Sequence, residues 1–321
     1  MITSLHPEAN VMDAVELGRT GIKLAPMGVG AMSWGYRSPQ GYGGADSPAD
    51  EEQALATLLA AGVTLVDTAE MYGFGRSERR VGELVRDHPD VLVATKYAPL
   101  PYRTAGRLRP ALDRSRERLQ RQRIDLYQVH FAPRFTPIPA LMRQLAAAHA
   151  DGAIRAVGVS NFTAAQLRTA HAALADAGVP LASNQVQYSL LHRAPEVDGV
   201  AQACRELGVT LIAYMPLASG ALTGKYRADN RPGGIRRMMP FFRAAAFEGL
   251  EPVIGLLTEI GRKHDATPAQ VALRWVIQQG AVPIPGAKNA RQAGGNAAAL
   301  RIVLDDAEQD ALAAATVAWR R

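Results

Sequence analysis

The chain runs to 321 residues, of which 48% are apolar and 21% charged, with a formal net charge of +6. That balance suits a globular protein with a large core, and the length fits one (β/α) barrel with insertions. No stretch approaches the roughly 18 uninterrupted apolar residues of a membrane span, and no dense Lys/Arg block with interleaved aromatics marks a nucleic-acid surface. The single cysteine, Cys204, leaves no internal disulfide framework and no thiolate metal cluster. In the helix-like run 200–207 it reads as a small buried apolar residue. The mild basic surplus reads as an arginine-rich surface or, if concentrated at one site, as charge facing a polyanionic ligand such as a dinucleotide phosphate. Residues 1–14 carry Glu8 and Asp13 and no long apolar run, so they do not read as a secretory signal. A reduced, cytoplasmic setting and a monomer are the default expectations.

In chain order, Leu17-Gly18-Arg19-Thr20-Gly21-Ile22-Lys23-Leu24 reads as a β-hairpin with a glycine-bracketed turn. Strand-like runs follow at 26–30, 63–67, 91–95, 124–129, 154–159, 182–187, 209–214 and 281–285. Between them lie segments of helical period, such as Asp50 to Ala61 and the basic Arg107 to Gln120. Most strand starts are spaced by about 30 residues, the size of a βαβ unit. Eight such strands without an antiparallel cluster predict an α/β chain folded as a closed (β/α)8 TIM barrel, rather than an open doubly wound sheet. The spacing breaks once, before the last strand, where Gly220 to Leu250 holds a long Gly-, Pro- and Arg-rich loop centred on 231–243. That loop is either a solvated excursion or a basic flap over an anionic cofactor. Gly28-Val29-Gly30-Ala31-Met32-Ser33 lacks the third glycine of a dinucleotide fingerprint, and no ribose-binding acid sits convincingly about 20 residues on, so a Rossmann reading is discarded.

Three successive strands end in chemically useful residues. Asp67 closes the run 63–67 and is followed by Tyr72. Lys96 follows Val91-Leu92-Val93-Ala94-Thr95, and His130 follows Ile124-Asp125-Leu126-Tyr127-Gln128-Val129. The C-terminal ends of parallel barrel strands are where barrel enzymes carry their chemistry. Taken singly, each residue has a plainer account: a helix cap, a solvated lysine, a half-buried aromatic, a satisfied core histidine. Together they suggest a tyrosine general acid whose proton is loosened by an ammonium. An unperturbed phenol has a pKa near 10. A cation about 4 Å away is worth roughly 4 kcal/mol at an effective dielectric of 20, which bounds the lowering at about 3 pKa units. A metal-dependent hydrolase would need further His or carboxylate ligands converging on one cation, and no His-x-His or comparable cluster appears.

These residues resemble those of the aldo-keto reductase family, and Ala98-Pro99-Leu100-Pro101-Tyr102-Arg103 with the Gly224-Lys225-Tyr226 to Phe242 loop look most like its plant and bacterial branch of NADPH oxidoreductases. Asp67-Thr68-Ala69-Glu70-Met71-Tyr72-Gly73 is similar to the family's Asp-Thr-Ala-x-x-Tyr-Gly signature, and Ser77-Glu78 to its Ser-Glu continuation. Gly158-Val159-Ser160-Asn161-Phe162, Tyr214-Met215-Pro216-Leu217-Ala218-Ser219-Gly220 and Pro283-Ile284-Pro285-Gly286-Ala287 resemble later motifs in the same order. The resemblance spans about residues 15 to 305 and implies one barrel domain over 15–321 behind a flexible N-terminus, residues 1–14.

It further implies NADP(H)-dependent reduction of aldehydes or ketones by direct hydride transfer. Tyr72 would be the general acid, with Lys96, Asp67 and His130 assisting. Ser160, Asn161 and Gln185 would hold the nicotinamide carboxamide, and Tyr214 would stack on the ring. Leu217, Gly220 and Leu222 would line the pyrophosphate loop, and Gly286, Lys288, Gln292 and Asn296 the adenosine end. Lys288 suits a ribose 2′-phosphate, which favours NADP(H) over NAD(H). For Gln292 and Asn296, helix N-terminal capping is the structural alternative. Met32, Trp34 and Phe131, with loops near Tyr102 and Phe241, would form an apolar wall suited to small carbonyl substrates, pyridoxal among them. The alternative use of such a chain is a cofactor-binding, redox-sensing regulatory subunit with negligible turnover.

Overall fold

The computed structural model describes residues 14–36, 47–243 and 246–320. The expected flexible N-terminus lies outside them, apart from Ala14. An antiparallel hairpin pairs β1 (Val15–Glu16) with β2 (Lys23–Leu24). Eight parallel strands follow: β3 (Gly28–Gly30), β4 (Leu65–Asp67), β5 (Leu92–Tyr97), β6 (Ile124–Val129), β7 (Ile154–Ser160), β8 (Leu181–Gln187), β9 (Thr210–Tyr214) and β10 (Val282–Pro283). Each lies within two residues of its expected bounds. They pair in sequence order, and the ring closes through a parallel bridge between Gly30 and Gly286, with the Gly30 N–H donating to Pro285 O at 3.2 Å.

Helices alternate with the strands: α1 (Pro48–Ala60), α2 (Arg76–Leu84), α3 (Leu108–Leu119), α4 (Ile138–Ala150), α5 (Ala164–Ala175), α6 (Val200–Leu207), α7 (Ala246–Lys263), α8 (Pro268–Gln278), α9 (Ala290–Ala298) and α10 (Asp306–Ala315). Several starts are written locally. Ser47 with Asp50, Thr163 with Gln166, Thr267 with Gln270 and Asp305 with Glu308 form reciprocal capping boxes, each satisfying two otherwise orphaned N–H groups. No helix among the described residues is long and apolar enough to cross a membrane.

The barrel interior changes character along its axis. At the N-terminal end of the strands, Leu65, Leu92, Ala94, Leu126, Ala156, Ile212 and Val282 pack against Leu17, Ile22 and Leu24 of the hairpin. The hairpin therefore stoppers that end, and the Gly18 N–H donates to Thr210 Oγ1 at 2.7 Å. Two residues further along β4 and β5, and likewise along β6, the same interior face carries Asp67, Lys96 and Gln128. In the strand register Lys96 lies opposite Gln128, and Gln128 opposite Gly158. The glycines of β3 also gain a structural purpose. A β-carbon at Gly28 would come within 2.9 Å of Leu65 O on β4, and one at Gly30 within 3.1 Å of Ile284 O across the closing seam, so both keep β3 close to its neighbours.

The 231–243 loop is anchored rather than free. Phe241 and Phe242 are buried, with Phe242 edge-on to Tyr226 at 5.2 Å between ring centroids and Phe241 6.4 Å from Trp319. Arg231 donates to Phe242 O and Arg236 to Tyr226 Oη.

Gly158 gives the barrel interior a steric test, because a β-carbon there would lie 2.5 Å from Ser183 Oγ and 2.8 Å from Gln128 Cγ. Overpacking a filled core costs about 1–3 kcal/mol, against roughly 0.4–1 kcal/mol recovered by stiffening the unfolded chain. Gly158→Ala should therefore unfold at lower urea concentration than the parent protein.

Candidate active site

Asp67, Lys96, His130 and Tyr72 come together at the open end of the barrel. Lys96 is completely buried; its Nζ donates to Asp67 Oδ2 at 2.5 Å and to Thr68 O at 2.9 Å. The other Asp67 oxygen accepts from Gln185 Nε2 at 2.8 Å and from Gln128 Nε2 at 3.1 Å. Both carboxylate oxygens are thus fixed, and with them the ammonium. Lys96 Nζ sits 5.1 Å from the centroid of the Tyr72 ring. The His130 ring meets that of Tyr72 edge-on, 5.7 Å between centroids. Among the described residues, no group of three or more His, Cys, Asp or Glu side chains could hold a metal ion.

The charge balance corrects one expectation. Burial raises the Tyr72 pKa and outweighs the opposing pull of Lys96, while Asp67 pushes the same way as burial, so the net shift is upward from the ordinary phenol value. Tyr72 is therefore a fully protonated phenol at neutral pH, the state that a proton donor needs. Burial works to lower the Lys96 pKa, but Asp67 and Tyr72 more than offset it, and the amine is held protonated. His130 moves the other way. Burial, and then the Lys96 charge, depress its pKa to about 3, so it presents a neutral imidazole. Its Nδ1 is buried without a hydrogen-bond partner.

Beside this group, Asn161 adopts a left-handed backbone, φ 59°. Its Nδ2 donates to His130 O and to Ser160 Oγ, and its Oδ1 accepts from Tyr214 Oη at 3.0 Å. Ser160 Oγ donates to Gln185 O at 2.8 Å. Ser160, Asn161, Gln185 and Tyr214 are therefore one connected polar patch. A recess of about 210 Å³, lined in part by Asn161, Val186, His192 and Tyr214, flanks it. A bigger cavity of about 580 Å³ lies at the stoppered end, against Val15, Gly18 and Thr210, far from these groups.

The loop after β9 carries three consecutive left-handed residues, Ala218, Ser219 and Gly220. Leu217 is half-buried, whereas the Leu222 side chain is wholly inside the core, so only its backbone could face a ligand. Ser219 Oγ is buried without a partner, the kind of orphaned donor that a phosphate oxygen would satisfy. Across the barrel seam, Asn289 caps α9 by accepting from the Gln292 N–H at 3.0 Å, Gln292 Oε1 accepts from the Lys288 N–H, and Asn296 donates to Gly286 O at 3.2 Å. The capping residue is thus Asn289, with Lys288 just ahead of it and exposed Gly286 backbone alongside. A helix N-terminus beside a lysine is a fitting seat for an anionic group.

The substrate wall differs in two places from the sequence reading. Met32 and Phe131 are partly exposed, and Phe131 lies 5.7 Å from the His130 ring. Trp34 is fully buried, its indole N–H donating to Ala287 O at 2.7 Å. It ties the loop after β3 to the loop after β10 instead of lining an opening. Phe241 faces Trp319 and the core. Among the described residues, the large apolar side chains exposed on the loops of this end are Met71, Phe74, Tyr102, Phe135 and Met238. Sequence reasoning missed Gln128 and Ser219. Period two along β6 would have placed Gln128 on the same face as Leu126, whereas nothing local marks Ser219.

The neutral His130 has a measurable signature. In the unfolded chain its pKa is near 6.5, above the folded value of about 3, so acid protonates the unfolded state first and folding stability falls as pH drops through that interval. The imidazole should show no NMR titration between about pH 5 and pH 8. The stability difference between parent and His130→Asn should narrow as pH falls below about 6.5.

The Aldo/keto reductase family model matches residues 26–316. The chain is 39% identical over 305 residues to a chloroplastic pyridoxal reductase of Arabidopsis thaliana, covering 90% of this chain and 82% of that one. It is 41% identical over 306 residues to an uncharacterised oxidoreductase of Mycobacterium bovis, covering 93% and 91%. Among solved structures, a glycerol dehydrogenase of Gluconobacter oxydans superposes with a TM-score of 0.83 at 27% identity, over 96% of both chains. An aldo-keto reductase of Klebsiella pneumoniae, solved with NADPH, gives 0.75 at 28% identity over 95% of both. The chain therefore belongs to the aldo/keto reductase family of NADP-dependent oxidoreductases.

Proposed function

We propose that this protein reduces small aldehydes or ketones to alcohols with NADPH, using Tyr72 as the proton donor. The observation that carries the reading is the buried Asp67–Lys96 pair beside a protonated phenol and a neutral histidine. When bound, NADPH supplies the hydride. The chain's own part is to hold the carbonyl and move one proton.

His130, uncharged, donates from one ring nitrogen to the carbonyl oxygen and orients it without competing for the proton. Tyr72 gives its proton to that oxygen as negative charge builds there. The tyrosinate left behind lies beside the Lys96 ammonium, which stabilises it, and Asp67 keeps the lysine in place. The lysine therefore matters most after transfer has begun, since in the resting site burial dominates the phenol. Solvent then returns the proton to Tyr72.

The residues present fit a dinucleotide. Tyr214 offers an aromatic face for the nicotinamide, and Ser160, Asn161 and Gln185, whose own donors are taken up within the protein, offer acceptor oxygens to the carboxamide N–H groups. The backbone at Leu217, Gly220 and Leu222, with the orphaned Ser219 hydroxyl, would meet the pyrophosphate. Gly286, Lys288, Gln292 and Asn296 would hold the adenosine end, with Lys288 favouring a 2′-phosphate. The apolar rim of Phe131, Phe74, Tyr102 and Met238 favours uncharged carbonyl compounds. Pyridoxal is the first to test, given the plant relative.

Turnover is read as loss of NADPH absorbance with a panel of aldehydes, ketones and pyridoxal. General acids typically contribute about 10² to 10⁴ in rate, so Tyr72→Phe should lose that much kcat while binding NADPH as the parent does. Undiminished turnover in Tyr72→Phe would overturn the assignment. Lys288→Glu should weaken NADPH binding, measured by fluorescence titration, while leaving NADH binding nearly unchanged.

A further inference from the structure

Tyr72 sits on a tight arch, itself part-buried, with Met71 and Phe74 on either side of it exposed. Gly73, Phe74 and Gly75 are all left-handed, at φ 57°, 56° and 83°, and the Phe74 side chain is 97% exposed. The arch's backbone bonds, Tyr72 N–H to Ala69 O and Phe74 N–H to Met71 O, are local. The ring itself meets His130 and Lys96, but the arch's local backbone bonds do not tie it to the strand that carries Lys96. Its two ends do. Before it, Glu70 accepts the Ala98 N–H at 2.8 Å and pairs with Arg103. After it, Glu78 accepts the Thr95 hydroxyl at 2.7 Å and the Arg118 Nε–H at 2.5 Å. Thr95 and Ala98 stand on either side of Lys96 in the same chain segment. Arg118 also fills the space beside Gly75, where a β-carbon would lie 2.6 Å from its Cδ. Ser77 adds a third tether, donating to Ala31 O at 2.7 Å while sharing a hydrogen bond with Thr68 Oγ1 at 2.8 Å.

We propose that Glu70 and Glu78 are positioning residues for the general acid, fastening the Tyr72 arch to the β5 segment before and after Lys96. Neither touches substrate or cofactor; each acts through Tyr72. A carboxylate matched to a guanidinium offers a rigid, directional anchor. So anchored, the two carboxylates also take the Thr95 hydroxyl and the Ala98 N–H on either side of Lys96, which leaves the phenol little freedom relative to the ammonium. The proposal rests on the reductase reading for its catalytic consequence, but its structural half is testable without turnover.

The test compares Thr95→Val, which removes the hydroxyl held by Glu78 without removing a charge, with Thr95→Ser, which restores it, and with Glu70→Gln, which keeps an acceptor for Ala98 but weakens the pairing with Arg103. In Thr95→Val we expect kcat to fall about 10- to 100-fold, the cost of a small misplacement of a reacting group. KM and NADPH affinity should stay within about twofold, and Thr95→Ser should recover most of the loss. Site-specific 3-fluorotyrosine at position 72 gives the second readout, since its fluorine resonance reports the phenol's titration. The midpoint should move in Thr95→Val and Glu70→Gln and return in Thr95→Ser. Parent-like kcat and midpoint in folded Thr95→Val and Glu70→Gln would overturn the proposal. So would a fall in NADPH affinity that matches the fall in kcat. If Thr95→Val does not fold, Glu70→Gln decides alone. If the parent reduces no carbonyl, the reductase reading fails while the fluorine titration still judges the anchors.

Discussion

A lysine ammonium with no solvent exposure requires a partner, and Asp67 is the partner on which this site is built. Removing two ions from water is costly unless their geometry and their remaining hydrogen bonds are both satisfied. Here they are: one Asp67 oxygen takes the lysine, the other takes two glutamine amides, and the lysine also donates to Thr68 O. The groups meeting at that carboxylate come from β4, β5, β6 and β8, so half of the barrel's strands must be in register for it to form. A barrel that closed one residue out would bury this charge without its partners.

The same polar layer explains why the interior changes from leucine to amide and ion pair along its axis. The hairpin covers the apolar layer, so the stoppered end is finished by ordinary hydrophobic burial. The polar layer sits above it, near the open end, where the loops after the strands can reach it. Gly158 belongs to this division of space, because its missing side chain is the room in which Gln128 lies beneath Asp67.

Much of the fold was legible because its signals are local. Apolar runs recurring at about 30 residues gave eight strands within two residues of their bounds, and the residues at their ends gave the cluster that the structure brings together. What stayed hidden depends on tertiary context. Trp34 reads as an exposed wall residue in sequence, and only ring closure reveals that Ala287 O sits ready to accept its N–H. Phe241 lies in an arginine-rich stretch that looks solvated, yet it packs on Trp319 from near the far end of the chain. The acidity of Tyr72 departs from the sequence expectation for a related reason. The charge of a neighbouring lysine can be read from sequence, whereas the desolvation opposing it depends on how deeply both groups are buried. Glu78 was visible only as part of a motif, and its attachment to Thr95 required the helix to be docked.

Keeping Lys96 protonated has a chemical consequence of its own. Aldehydes condense with free amines to give imines, and an enzyme that concentrates aldehydes beside a lysine risks forming a Schiff base with itself. That reaction needs a nitrogen lone pair, which an ammonium clamped to Asp67 does not offer. The salt link therefore makes the Lys96 amine inert as a nucleophile toward carbonyl compounds.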